Sequence, residues 1–216
     1  MCEKQVSALR PETRDPDRVR VMVGQRRVAT LTARSVIELG ITVGGAWTET
    51  MAAAAQRMEA SDKAVSKARG YLSRRMHSRR QLDLKLNRAG FEPAIRREAL
   101  DRLDTAGLLN DRLFAERLVE EWRGRRGAGP RLVRDKLRAA GVADAVINEV
   151  LTDEDCSQMN DASLAMDYAQ RQLAGLARHP PEVQKRRLYG RMARRGYDAE
   201  VIREVVDRLI GEGSDG

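Results

Sequence analysis

Two histidines, two cysteines and a long series of arginines are the side chains best equipped for chemistry, and their spacing argues against catalysis. His77 falls at an expected helix junction and His179 beside Pro180 and Pro181. Neither stands in a metal-ligand spacing, and Cys2 and Cys156, 154 positions apart, make no zinc cluster. A catalyst needs convergent groups, such as a base beside a nucleophile or paired carboxylates in a cleft, and no such set is present. The chain therefore reads as a non-enzyme with no cofactor and no metal. His77 is expected to be an ordinary surface or capping residue, Cys156 a partly buried helical residue and Cys2 a tail thiol. The stretch RGRRGAGP at 123–130 has the glycines of a phosphate loop. It lacks the Lys-Ser/Thr ending and a preceding strand, so it reads as a loop entering a helix through Pro130. That helix start, flanked by Arg123, Arg125, Arg126 and Arg131, suits a phosphate or carboxylate.

The basic residues recur at fixed stations. Ten residues before Gly90, Gly141 and Gly196 stand Arg80, Arg131 and Arg186; five before stand Lys85, Lys136 and Arg191. Arg131, Arg134 and Arg138 fall at i, i+3 and i+7, one helix face. With Arg74, Arg75, Arg79, Arg123, Arg125 and Arg126 they form the candidate contact surface, since a guanidinium forks onto carboxylate or phosphate. The competing reading makes each one a solvated residue balanced by nearby acids. The net charge of +8 and a pI near 10.0 favour polyanions or acidic protein surfaces. That excess lies between Asp62 and Glu149, where 21 Lys and Arg meet 13 Asp and Glu. Trp47, Tyr71, Trp122 and Tyr168 are too few and scattered for a base-stacking track and read as packing residues, as do Phe91, Phe114 and Tyr197.

The elements that must position these residues are mostly helical. VRVMV alternates, Gly24-Gln25 makes a two-residue turn and RRVATL follows, a hairpin that sets Val21 opposite Val28, with Val19 and Val23 on the same face. A lone hairpin is marginal in water, so it must lean on something. Thr32 is placed to cap a short helix with Val36, Ile37 and Leu39 as its apolar side and Gly40 beyond its end, and Thr48 caps TETMAAAAQRMEA. From Ser61 onward a pattern repeats three times. Leu82, Val133 or Leu188 precedes the anchor glycine by eight residues, and Leu86, Leu137 or Met192 precedes it by four. Phe91, Val142 or Tyr197 follows immediately, and Ile95, Val146 or Val201 and then Leu100, Leu151 or Val206 come later. Each stripe marks a helix, the glycine a left-handed C-cap and the rest a second helix. An earlier helix begins near Asp62, Asp111 and Asp161. Ser78 to Gln81 forms a capping box, and Pro93 and Pro130 suit first turns.

The expected fold class is all-α: three tandem three-helix repeats forming an elongated or curved molecule, preceded by a small β-hairpin and short helices. The expected divisions are a disordered tail at 1–18, a hairpin and short-helix arm at 19–60, repeats at 61–110, 111–153 and 154–211, and a tail at 212–216. No apolar run approaches the ~20 residues of a membrane span, and the first residues lack the apolar core of a secretory signal. A soluble, cytoplasmic monomer without membrane contact is the expectation.

Four segments resemble the RecX family, which regulates the RecA recombinase. ARGYLSRRMHSRRQLDLKL resembles the start of its core, LDTAGLLNDRLFAERLVEEW its first junction, GAGPRLVRDKLRAAGV its second-module helix and RRLYGRMARRGYDAEVI its third. The match runs from about Ala64 to Ile210, in order, on the same three-fold repeat. The hairpin resembles an amino-terminal element of some members. The link LAGLARHPPEVQ is longer than the family pattern and carries prolines. The resemblance implies an inhibitor that binds the RecA filament, opposes strand exchange and ATP hydrolysis, and contacts single- or double-stranded DNA. The alternative is a basic helical DNA-binding protein acting independently of RecA, because helix–Gly–helix pairs imitate a helix-turn-helix.

Overall fold

The computed structural model describes residues 4–13, 15–152 and 161–211. Cys2 and Cys156, with the expectations placed on them, lie outside the described residues. Three strands come first: β1 (Val6–Glu12), β2 (Asp15–Val23) and β3 (Arg26–Thr32). Helices α1 (Ala33–Glu38) and α2 (Glu49–Leu72) follow, then α3 (Arg79–Arg88) and α4 (Pro93–Thr105). Helices α5 (Asp111–Glu120), α6 (Pro130–Ala139) and α7 (Asp144–Thr152) make the next module, and α8 (Asp161–Ala174), α9 (Pro181–Arg194) and α10 (Ala199–Ile210) the last. The chain divides into two compact units. The first is Met1–His77 with Leu82–Leu109; the second is Ser78–Gln81 with Asn110–Gly216.

Unit one opens on a three-stranded antiparallel sheet in the order β1-β2-β3. Val6–Glu12 lies within the segment expected to be disordered. Its apolar alternation is faint and Pro11 interrupts it, but as an edge strand it needs only one partner, and a proline is tolerated there. The hairpin register also differs from expectation. Val21 faces Ala29 because Val28 is an extra residue between the Val21 and Met22 pairings, a bulge that pleat alternation alone does not disclose. The sheet buries Val21, Ala29 and Leu31 against Val36, Ile41 and Ala55, with Trp47, Met51 and Met58 at the margin. Thr32 and Thr48 cap α1 and α2 as expected, each hydroxyl accepting an amide three residues on. Ile37 is 80% exposed and is not part of the apolar side; six residues of α1 bury Val36 and leave Ile37 pointing away.

The helix expected to begin near Asp62 is the second half of α2, which runs unbroken through the expected boundary at 60–61. Ser61 and Asp62 do not cap a helix; both are buried and bind groups distant in sequence. Arg102 Nη2 donates to Asp62 Oδ1 at 2.8 Å and Nη1 to Ser61 Oγ at 2.9 Å. Ser35 Oγ donates to Asp62 Oδ1, and the Thr32 amide to Oδ2. The Thr30 amide donates to Glu59 Oε2 at 3.1 Å. Two carboxylates of α2 thus occupy amides on the open edge of β3, which removes a template for unwanted strand pairing. Burial works against the Glu59 carboxylate. The bonds from Lys63 and the Thr30 amide, with the charges of Lys63 and Arg18, outweigh it and hold its pKa below the ordinary value.

The repeat rests on the three anchor glycines. Gly90, Gly141 and Gly196 have φ of +86°, +78° and +86°. The amides of Phe91, Val142 and Tyr197 donate to the carbonyls of Leu86, Leu137 and Met192, and each glycine amide to the carbonyl three back. This double closure ends the second helix of each module and turns the chain into the third. Leu82 and Leu86, Val133 and Leu137, and Leu188 and Met192 are fully buried, each pair in the core of its own module. Burying such a side chain is worth roughly 1.5–3 kcal/mol, so the module cores supply the drive that short helices lack alone. Pro93, Pro130 and Pro181 open α4, α6 and α9.

Candidate interaction surface

The structure extends the repeat of charge to a repeat of rings. Nineteen residues before the anchor glycine stand Tyr71 in the first module and Trp122 in the second. Lys85 Nζ lies 4.7 Å from the Tyr71 ring centre, and Lys136 Nζ 4.9 Å from that of Trp122. The same two modules carry an arginine pair after the ring, Arg74 and Arg75 or Arg125 and Arg126. Arg126 packs over Trp122 at 4.5 Å, its Nη2 2.5 Å from Glu121 Oε1. Arg75 Nη1 reaches the Met76 carbonyl at 3.4 Å. Arg74 and Arg125 are exposed, and neither has an ion-pair partner among the described residues. Each of these two modules therefore presents an aromatic ring with a lysine on its face and an arginine pair three and four residues further along the chain. Cations on a ring are held by its quadrupole while their outer side stays available to an anion. The fixed offset from the glycine was the signal that could have revealed this set; a search for aromatic runs misses it. The third module lacks it, with Ala177, Pro180 and Pro181 at the matching stations.

The other candidate residues divide between exposure and internal duty. Arg123 is not a contact residue. It is 4% exposed and paired with Asp161 at the start of α8, because the π-helical turn Glu121–Arg125 at the end of α5 directs it inward. Arg131, Arg134 and Arg138 do share α6, but each has a partner. Arg131 meets Asp198 at 2.5 Å, Arg134 donates to Asn148 at 2.6 Å, and Arg138 meets Asp144 at 2.9 Å. Pairs this exposed are weak, so they restrain the arginines without removing them from the surface. Arg186 is exposed, whereas Arg191 donates to the carbonyl and side chain of Gln172 and ties α9 to α8. The half-buried Arg79 holds Asp111 through its amide. Arg80 lays its aliphatic stem where a side chain at Gly141 would stand.

The start of α6 does not form the expected anion site. The Gly129 amide donates to the Arg195 carbonyl at 2.9 Å and the Arg131 amide to the Gly196 carbonyl at 3.2 Å. First-turn amides that would hold a phosphate are occupied by the third module's glycine corner. Ser78 and Ala140 make the equivalent contact one module earlier, the hydroxyl donating to the carbonyl. Position twelve before one anchor glycine thus meets position one before the next, twice over.

His77 is not the surface residue expected: it is buried, its ring edge-on to Tyr71 at 6.4 Å. His179 lies 2.6 Å from Arg187. Among the described residues no cluster of His, Cys, Asp or Glu is arranged to hold a metal, and no helix is long and apolar enough to cross a membrane. The Tyr197 hydroxyl donates to the Gly127 carbonyl at 3.1 Å, joining the second and third modules. Burial raises its pKa to about 12, with the charge of Arg195 pulling the other way. An unfolded phenol titrates near 10, so its contribution to stability is present below about pH 10 and lost as pH rises toward 12. In melting curves taken across that window, Tyr197→Phe should lose less stability than the parent, after costing about 1 kcal/mol at neutral pH. Parallel alkaline losses would clear Tyr197 of that role.

Comparison with known proteins places this repeat. Family models for the first, second and third three-helix domains of RecX match residues 64–103, 110–151 and 160–206. A Regulatory protein RecX from Chlorobium phaeobacteroides is 33% identical over 148 residues, 68% of this chain and 94% of that protein. One from Halorhodospira halophila is 35% identical over 147 residues, 68% of this chain and 88% of that one. The fold matches a crystal structure of regulatory protein RecX with a TM-score of 0.82 at 19% identity, covering 94% of this chain and 99% of that one. RecX from Lactobacillus salivarius matches at 0.60 and 17% identity, covering 69% and 96%. With three domain models in the order of its three modules, the chain belongs to the RecX family of regulatory proteins.

Proposed function

We propose that this protein binds the RecA nucleoprotein filament in the cytoplasm and opposes its ATP hydrolysis and strand exchange, as a monomer and without catalysis of its own. The observation that supports the reading is the repeated set of ring, lysine and arginine pair on a scaffold of the RecX family. A filament presents the same surface at every subunit, and a repeated station meets a repeated partner with additive gain. The arginine pairs provide forked donors for carboxylate or phosphate.

The test is ATP hydrolysis by RecA on single-stranded DNA, with the protein titrated below stoichiometry. Inhibition is expected, and Arg125→Glu with Arg126→Glu should raise the half-inhibiting concentration at least tenfold while leaving the circular dichroism unchanged. Full inhibition by that variant would move the interface away from the second module. Hydrolysis unaffected by the parent protein, together with salt-sensitive duplex binding, would favour a DNA-binding protein that acts without RecA.

A further inference from the structure

The wide turn at the end of α5 stands between the second module's ring and the start of the third module. Residues Glu121–Arg125 are π-helical. Such a turn closes on the fifth residue instead of the fourth, so it takes up one residue more than an α-helix, and turns of this kind gather at functional sites. Trp122, with Arg126 4.5 Å and Lys136 4.9 Å from its ring centre, lies in that turn next to Arg123. The carbonyls of Trp122 and Arg123 accept the amides of Ala128 and Gly127 at 2.9 and 3.0 Å. Ring and buried guanidinium therefore share one short backbone segment, and moving either one moves the other.

Packing does not ask for an arginine at 123. Eighteen residues before its own glycine, the first module has Leu72 at the same station. Leu72 ends the ordinary α-helix α2 and packs on that module's core. An apolar side chain fills the station unaided, whereas a buried guanidinium needs a counter-charge. Asp161, the first residue of α8, supplies it to Arg123. Asp111, the first residue of α5, makes a similar reach one module earlier, accepting the Arg79 amide at 2.8 Å. In both places the opening aspartate of one module holds the chain of the module before it.

We infer that Asp161 is a positioning residue for the second module's set of ring and cations. Through Arg123 it keeps the wide turn closed, and the turn keeps Trp122 and Arg126 in place. The third module has no ring of its own at this station, and it contributes by fixing its neighbour's geometry. The functional consequence rests on the proposed filament contact; the geometry does not. Without Asp161 the Arg123 charge is buried and unpaired, which is strongly destabilising. It reaches water only if the wide turn opens, and that opening lifts the Trp122 ring from the module core. With leucine at 123 no charge needs pairing, and the turn stays closed whether or not Asp161 is present.

The experiment is acrylamide quenching of Trp122 in the full chain carrying Trp47→Phe, which leaves a single tryptophan to report. Hydrolysis by the RecA filament is measured on the same samples, and melts establish that each variant is folded at the assay temperature. Asp161→Ala should raise the quenching constant about twofold, as a half-buried ring is freed by local opening. It should raise the half-inhibiting concentration about tenfold, the equivalent of one lost charged contact. Asp161→Asn keeps an oxygen for the guanidinium and should fall between parent and alanine variant. Adding Arg123→Leu to Asp161→Ala should restore the parent's quenching and inhibition, although two side chains have then been changed. Unchanged quenching in Asp161→Ala would overturn the inference, as would a double variant quenched as strongly as the single one. Raised quenching with unaltered inhibition would support the positioning role and count against the filament contact at this station.

Discussion

Replacing Gly196 by Ala should destabilise unit two by roughly 3–5 kcal/mol, while the same change at Gly90 should cost only about 1–2. The two glycines share a φ of +86°, so an alanine pays the same backbone penalty at both. They differ in what the new methyl group would meet. At Gly90 nothing lies within 4 Å, whereas at Gly196 a Cβ would stand 2.4 Å from the Leu132 amide nitrogen and 2.6 Å from its Cβ. A backbone atom cannot swing aside as a side-chain tip can, so the third module would have to lift from α6. That movement would break the amide bonds from Gly129 to Arg195 and from Arg131 to Gly196. Denaturant melts of the two variants compare the terms directly. Equal costs would mean that the glycine corner yields and that the docking contact contributes little.

Asp62→Ala should be comparably damaging, at about 3–5 kcal/mol, the range for removing one partner of a buried ion pair. The carboxylate is inaccessible and receives Arg102, Ser35 and the Thr32 amide. Its loss would leave a largely buried guanidinium without its counter-charge and an amide of β3 without an acceptor. The expected signature is regional: the arm becomes sensitive to protease while unit two retains its stability. Asp62→Asn keeps an oxygen for the amide and should cost less. A loss below about 1 kcal/mol for the alanine variant, with the arm still protected, would show that the arm is held by its apolar core alone.

Much of the fold was legible from neighbours in sequence. The three glycines were readable because a left-handed C-cap is a local need that glycine meets without strain. The leucine and valine pairs before them were readable because four residues separate neighbours on a helix face. Thr32, Thr48 and the first-turn prolines followed the same logic of short range. The errors arose where a local signal met a distant partner. Asp62 looked like a helix start and is a buried ligand of Arg102, forty residues away. Pro11 and weak alternation concealed β1, which exists because β2 offers its backbone. Val28 became a bulge that no pleat count foretells.

The candidate surface shows the same division more sharply. Arg123, Arg125 and Arg126 are the same residue type within four positions. One is buried against Asp161, one is exposed and one lies on Trp122. The amino-acid sequence by itself determined the three-module helical repeat, its caps, its basic middle and its family. Those features depend on residues within about one helical turn or on composition. Only the tertiary structure decided which arginines face solvent, that the start of α6 is closed by the next module, and that Arg123 pairs with Asp161 of the third module. Those outcomes depend on which distant groups approach within hydrogen-bonding range, and in sequence such partners carry no mark of one another.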